Sequence, residues 1–255
     1  MSTLKKVLET KKEGLLNIYC TAGYPKLNDL PTIVNALHDA GVDMVEIGIP
    51  YSDPIADGET IQQSNAVALK NGITIDLIFE QLKQCNKDIP KIVMTYFNPV
   101  FKYGLEHFCE QCQKVGVDGI IIPDLPLDLY QSTYEKLFEK YGLSPVFLIT
   151  PQTSPERLKF IDELSSTFIY AVSSSSTTGK STGINEGSTY LSGLKDLGLQ
   201  HPILVGFNIS TSEDLALVNE HAQGGIIGSA FIKHLRENAS TQEACRTFVK
   251  QITNC

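Results

Sequence analysis

The sequence predicts an α/β fold, a (β/α)8 barrel, on three observations. Short β-rich apolar runs alternate with amphipathic stretches, the signature of parallel strands joined by helices. Eight such runs fit into 255 residues, the count and length of that barrel. No Pro/Ser-rich linker or block of like charge interrupts them. The expectation is one TIM-barrel domain over residues 1–255, with extra N-terminal and C-terminal helices.

The expected strands are Leu15 to Thr21, Met44 to Ile49, Ile92 to Tyr96, Gly119 to Ile122, Val146 to Ile149, Phe168 to Val172, Ile203 to Val205 and Gly225 to Ile227. Between the first two, Leu30, Ile33, Val34 and Leu37 have the spacing of one buried helix face. Thr153-Ser154-Pro155-Glu156 reads as a capped helix start with Pro in the first turn. Gly41 to Ile47 echoes Gly116 to Ile122, each a helix end running into a strand.

Bulk properties narrow the function. A net charge of -8 argues against nucleic acid and anionic membranes as partners, since both require positive potential. A phosphorylated ligand would need local backbone N–H groups. No apolar run has the length of a membrane span, and the first residues lack a signal-peptide stretch, so a cytoplasmic location is expected. The six cysteines, the pair Cys109 and Cys112 included, read as free thiols, and the five scattered histidines show no metal-ligand spacing.

In such barrels the chemistry sits at the C-terminal ends of the strands. Glu46 lies inside the second run between Val45 and Ile47. Side chains alternate along a strand, so with those two facing the helices Glu46 points into the barrel. A carboxyl there has a raised pKa unless a cation pairs with it, and Lys91, at the start of a strand, is no such partner. Asp57 precedes Gly58 before an expected helix from Glu59 to Lys70. Alone it reads as a helix cap; with Glu46 it becomes a second catalytic candidate. Gly206-Phe207-Asn208 and Gly228-Ser229 follow the seventh and eighth runs, where barrels often bind phosphate. Ser229 is expected to cap a short helix from Ala230 to Leu235 and to donate to that phosphate. Thr178-Gly179-Lys180-Ser181 looks like the end of a nucleotide-binding P-loop, but the required earlier glycine is Ser174. The polar stretch from Ser173 to Gly187 reads instead as a mobile lid.

The residues from Glu46 to Gly58, with Thr60-Ile61-Gln62, resemble the signature of tryptophan synthase alpha chains. Further similarity lies in Tyr19 to Pro25, Asp124-Leu125-Pro126, Tyr96 to Gly104 and Gly228-Ser229-Ala230, so that the resemblance spans essentially the whole chain. It implies a lyase that splits indole-3-glycerol phosphate into indole and glyceraldehyde 3-phosphate. By the same resemblance, Glu46 and Asp57 match the family's catalytic pair. Tyr19, Tyr96 and Tyr170 fall at its indole pocket, and Thr178 at its lid threonine. Gly179, Gly206, Phe207, Gly228 and Ser229 fall around the phosphate and glycerol, with Asn208 where many relatives carry Gly. The lid also departs from the family at Ser174 to Ser176, where many relatives have an Arg and a Gly.

The resemblance further implies a beta chain as partner, in an alpha2beta2 heterotetramer, that uses pyridoxal phosphate to join indole to serine. No cofactor is expected in this chain. The contact is expected at Asp53 and Pro54, Asn98 to Tyr103 and Asp124 to Pro126. The rival readings are another phosphate-binding barrel, which calls for a lysine or second base at a strand end, and a non-catalytic barrel, which would have lost Glu46 or Asp57.

Overall fold

The computed structural model describes residues 2–172, 190–194, 198–206 and 209–254. The chain opens with α1 (Thr3–Thr10), β1 (Leu15–Thr21), α2 (Leu30–Asp39), β2 (Met44–Gly48), α3 (Glu59–Lys70), α4 (Ile75–Leu82) and β3 (Lys91–Met94). Then come α5 (Phe97–Tyr103), α6 (Leu105–Val115), β4 (Gly119–Ile121) and α7 (Leu127–Leu129), which runs through a π-helical turn at Tyr130–Tyr134 into α8 (Glu135–Lys140). The second half holds β5 (Ser144–Pro145), β6 (Leu148–Ile149), α9 (Pro155–Leu164), β7 (Ile169–Val172), the helical residues 190–194 (α10), β8 (Ile203–Gly206), α11 (Ser212–His221), β9 (Gly224–Ile227), α12 (Ser229–Glu237) and α13 (Thr241–Thr253). The sheet order is β5-β4-β3-β2-β1-β9-β8-β7-β6, and every pairing is parallel.

The two ends of that order, β5 and β6, are joined by only Val146 and Phe147. Val146 N–H donates to Ile120 O on one side (2.9 Å), and Phe147 O accepts from Tyr170 N–H on the other (2.9 Å). The fifth run is therefore one barrel strand in two pieces rather than the continuous Val146 to Ile149. Pro145 has no N–H to donate, and the strand changes partner from β4 to β7 just after it. The ring closes through this break. The inner core follows the eight expected runs: Leu15, Met44, Ile92, Ile121, Val146, Phe168, Leu204 and Ile226 form one buried cluster, one residue from each run.

Leu4 and Leu8 of α1 complete that cluster and plug the end of the barrel at which the strands begin. Asp118 fastens the plug, its Oδ1 accepting from Leu4 N–H (3.3 Å) and its Oδ2 from Lys91 N–H (3.4 Å). Asp43 holds the preceding βα unit in a similar way, accepting from Leu16 N–H (2.8 Å). This explains the sequence echo. Gly41 and Gly116 end their helices with φ of +86° and +69°, which favour glycine, and each is followed by a buried Val and a strand-binding Asp.

The outer core lies between strands and helices and includes Val45, Ile47, Ile33, Val34 and Leu37. Ser154 caps α9 as expected, its side chain accepting from Arg157 N–H, with Pro155 in the first turn. Cys109 and Cys112 are buried on α6, and burial pushes the Cys109 thiol up to about 12 and Cys112 up as well. Thiols so placed stay protonated and are poor nucleophiles. No helix among the described residues is long and apolar enough to cross a membrane.

Candidate active site

Met44 belongs to the inner core, and strand alternation turns Glu46, two residues on, the same way. Glu46 is 1% exposed and accepts a hydrogen bond from Asn17 Nδ2 on β1 (3.3 Å). Burial pushes its carboxyl up to about 8, the Asn17 bond opposes that push, and the charge of Asp57 adds to it. Lys91 lies at the start of β3, where its Nζ donates to the carbonyls of Asn86 and Ile89. The sequence places no cation beside Glu46, and none is found there among the described residues.

Asp57 sits in the loop between β2 and α3. It does not cap α3, whose N-cap is Gly58 with no side-chain hydrogen bond. Its carboxylate instead accepts from Asn65 Nδ2 (3.4 Å) and from the Tyr96 hydroxyl. Burial raises the Asp57 pKa, and the Tyr96 and Asn65 bonds work against that rise. The Tyr96 hydroxyl also accepts from Ala56 N–H (2.9 Å), and its ring packs on Tyr51 with centroids 5.2 Å apart. Asn65 on α3 and Tyr96 at the start of α5 thus hold the loop in place.

Tyr19 and Tyr170 are raised by burial and feel both Glu46 and Asp57. Their rings approach two glycines. A Cβ on Gly48 would overlap the Tyr19 hydroxyl, and one on Gly206 would overlap the Tyr170 ring. Any side chain at either glycine would displace a tyrosine of the pocket. Glu46, Asp57, Tyr19, Tyr96 and Tyr170 are therefore gathered in one place, as the sequence suggests.

Gly228 is the N-cap of α12 and makes no side-chain cap bond. Ser229 is the first helical residue and not the cap, which corrects the sequence expectation by one position: the chain turns into the helix at the glycine. The first-turn N–H groups of α12 lack intrahelical partners and carry the positive end of the helix dipole. Gly228 lies 3.4 Å, measured from a Cβ placed on it, from the Tyr19 Cβ, so this helix start adjoins the tyrosine pocket. Thr178, Gly179, Phe207, Asn208 and the whole of the expected lid, Ser173 to Gly187 including Lys180, lie outside the described residues.

The model of the tryptophan synthase alpha chain family matches residues 4–254. The chain belongs to that family. It is 53% identical to a tryptophan synthase alpha chain of Christiangramia forsetii over 241 residues, covering 93% of each chain. Its fold is similar to the tryptophan synthase alpha subunit of Legionella pneumophila, with a TM-score of 0.91 and 31% identity, covering 100% of this chain and 98% of that one. A chain of tryptophan synthase from M. tuberculosis in its aminoacrylate-bound form gives 0.86 and 28%, covering 99% and 98%. Alpha chains of this family cleave indole-3-glycerol phosphate, and this chain is accordingly a lyase acting on that substrate.

Two site residues escape sequence reasoning. Asn17 reads as one polar residue in an apolar strand, and Asn65 as one of several on a polar helix face. Each donates to one of the alpha-chain carboxylates, and each has an Oδ1 with no partner among the described residues. The signal available was the buried position of Asn17 inside the barrel, two residues on from an inner-core leucine.

The rim around the mouth is apolar in places. Phe101 is 64% exposed and Pro126 is exposed, while Pro54 and Pro99 are partly covered. Ile55 at 76% and Leu129 add to this face and were not singled out from the sequence. Phe97 N–H donates to Asp124 Oδ1 (2.8 Å) and Asn98 Nδ2 to the Tyr51 hydroxyl (3.3 Å), tying three rim loops together.

Proposed function

We propose that Glu46 and Asp57 carry out the cleavage of indole-3-glycerol phosphate as acid and base. The observation that carries this reading is a buried carboxyl, raised to about 8, beside a second carboxylate held by hydrogen-bond donors. Indole is a poor leaving group as a carbanion. Glu46 protonates ring carbon C3, giving an indolenine whose C=N bond can accept electrons. Asp57 takes the hydrogen bond, or the proton, of the ring N–H and stabilises the positive charge that develops. Glu46, now ionised, takes the proton of the glycerol hydroxyl. The carbon–carbon bond breaks, its electron pair restores the indole ring, and the aldehyde forms. Glu46 ends as it began. No metal, Schiff base or organic cofactor is required for these steps. The direct test is indole release when the purified chain meets indole-3-glycerol phosphate; no release, alone or with the partner, would end this reading.

Tyr19, Tyr96 and Tyr170 line or support the indole pocket in this reading, with Thr178 contacting Asp57 from the lid. Gly179, Gly206, Phe207, Asn208, Gly228 and Ser229 surround the phosphate. The α12 start supports the phosphate assignment, because it offers N–H groups and a favourable dipole at the pocket edge. Gly228→Asp is expected to weaken glycerol phosphate binding about tenfold or more, since it sets a like charge beside the dianion. A Cβ at this position meets nothing closer than 3.4 Å, and Asp is a good N-cap, so the fold should survive. Calorimetric titration showing unchanged affinity would place the phosphate elsewhere.

The chain acts, in this proposal, as one domain over residues 1–255 in the cytoplasm, within an alpha2beta2 heterotetramer. The beta chain carries the pyridoxal phosphate and receives indole. The contact face is the rim of Asp53 to Ile55, Asn98 to Tyr103 and Asp124 to Pro126. Its exposed Ile55 and Phe101 are the kind of apolar surface that a partner covers. Phe101→Glu is expected to weaken beta-chain binding about tenfold or more while leaving the basal alpha reaction unchanged. Equal affinity of the two proteins for the beta chain would move the interface off this rim.

A further inference from the structure

We infer that Asn17 is a positioning residue for Glu46, one whose carboxamide serves the carboxyl in both of its protonation states. This rests on the acid–base role of Glu46 proposed above. Asn17 is fully buried on β1, on the face that turns inward with Leu15. Its Nδ2 donates to Glu46 Oε2 at 3.3 Å, and its Oδ1 has no partner among the described residues.

A buried amide that uses its donor and leaves its acceptor idle is an unfavourable arrangement at a position where an apolar residue would suit the strand. It becomes intelligible beside a group that changes from acceptor to donor. Ionised Glu46 only accepts, and the Nδ2 donation satisfies it. Protonated Glu46 carries an O–H that must donate to keep its bond. A half-turn about the Asn17 Cβ–Cγ bond exchanges Oδ1 and Nδ2 at almost constant shape and presents the acceptor. The carboxyl then keeps one neighbour, and one orientation, before and after it gives its proton to the indole ring. A lysine here would hold only the ionised form and depress the acid; an apolar residue would hold neither.

The other titratable groups that feel Glu46 among the described residues are Asp57 from the β2–α3 loop, Tyr19 and Cys20 from β1, and Tyr170 from β7. None supplies a donor that stabilises the ionised form through a hydrogen bond. Asn17 does so, and its bond opposes the rise caused by burial.

The test is Asn17→Leu, which matches the branched shape and has neither donor nor acceptor. Expected are a fall in kcat of about tenfold, KM within about twofold of the parent, and an alkaline limb of kcat/KM moved to higher pH. Infrared titration gives a readout apart from turnover. The protonated-carboxyl band that Glu46→Gln removes should persist to higher pH in Asn17→Leu. A folded Asn17→Leu protein with parental kcat, limb and band would overturn the inference. If that variant does not fold, Asn17→Asp takes its place. A like charge at the same spot should hold Glu46 protonated to higher pH, and an unmoved band would show that this side chain does not face Glu46. Should Glu46→Gln itself keep its turnover, the acid assignment fails, and the infrared titration still decides whether Asn17 holds this carboxyl.

Discussion

Glu46→Gln is expected to lower indole formation by about 10²–10⁴-fold, the usual scale of a lost general acid–base group, while the protein stays folded. Gln keeps the shape and can still accept from Asn17 Nδ2, but it has no proton to give. The parent enzyme should show the reason in its pH profile. The acid must be protonated to act, so kcat/KM should fall as pH rises through about 8, where burial has pushed this carboxyl. The same substitution should change stability in a defined direction. A carboxyl whose folded pKa lies above its unfolded value contributes stability that is complete below the unfolded pKa and is lost as pH rises through about 8. Gln does not titrate. Glu46→Gln should therefore gain on the parent as pH rises, by on the order of a few kcal/mol above pH 8, in denaturant melts. Near-parental turnover in the folded variant would remove Glu46 from the chemistry. A stability difference independent of pH would show that the carboxyl is not raised.

Asp57→Asn is expected to lose about 10²–10³-fold in kcat with little change in substrate affinity. The amide keeps an acceptor for Tyr96 or Asn65 and for the indole N–H, but loses the charge that stabilises the protonated ring. It should also move the alkaline limb to lower pH, because the Asp57 charge adds to the upward push on Glu46. That direction is opposite to the one expected of Asn17→Leu, so the two substitutions separate charge from hydrogen bonding at the same carboxyl. Single-turnover indole release and binding of a substrate analogue would check both effects. If affinity collapses along with turnover, Asp57 orders the loop rather than the reaction.

Much of this was legible in the sequence because period-2 alternation translates directly into facing. Glu46 between Val45 and Ile47 is a charged residue at an inward position, and no tertiary information is needed to see it. The strand count was legible in the apolar runs that alternate with amphipathic stretches, since parallel strands buried on both faces read as continuous apolar segments. The break in the fifth strand was not, since it depends on which neighbour each backbone group meets across the barrel. Asn17 escaped notice because its meaning lies in a partner 29 positions away. Taken alone Asp57 reads as a helix cap because Asp is a favoured capping residue, yet with α3 beginning at Glu59 the cap position is the glycine beside it. At α12 the boundary itself differs by one residue, the helix beginning at Ser229 with Gly228 as its cap, because sequence shows where a helix begins only to within a residue or two. Ile55 and Leu129 lie in irregular or short segments, where no periodicity shows which side chains the rest of the fold will cover.

Leu4 and Leu8 make the barrel a cup with a floor. In the proposed reading substrate and product then pass by the rim at the other end, and whatever rests on that rim stands in their path. Substitutions in the floor should act on traffic only indirectly, by loosening the fold. Substitutions on the rim can alter residence time in the cup without touching Glu46 or Asp57. The asymmetry between the two ends, set by about ten residues at the start of the chain, divides the molecule into a half that holds its shape and a half that meets its surroundings.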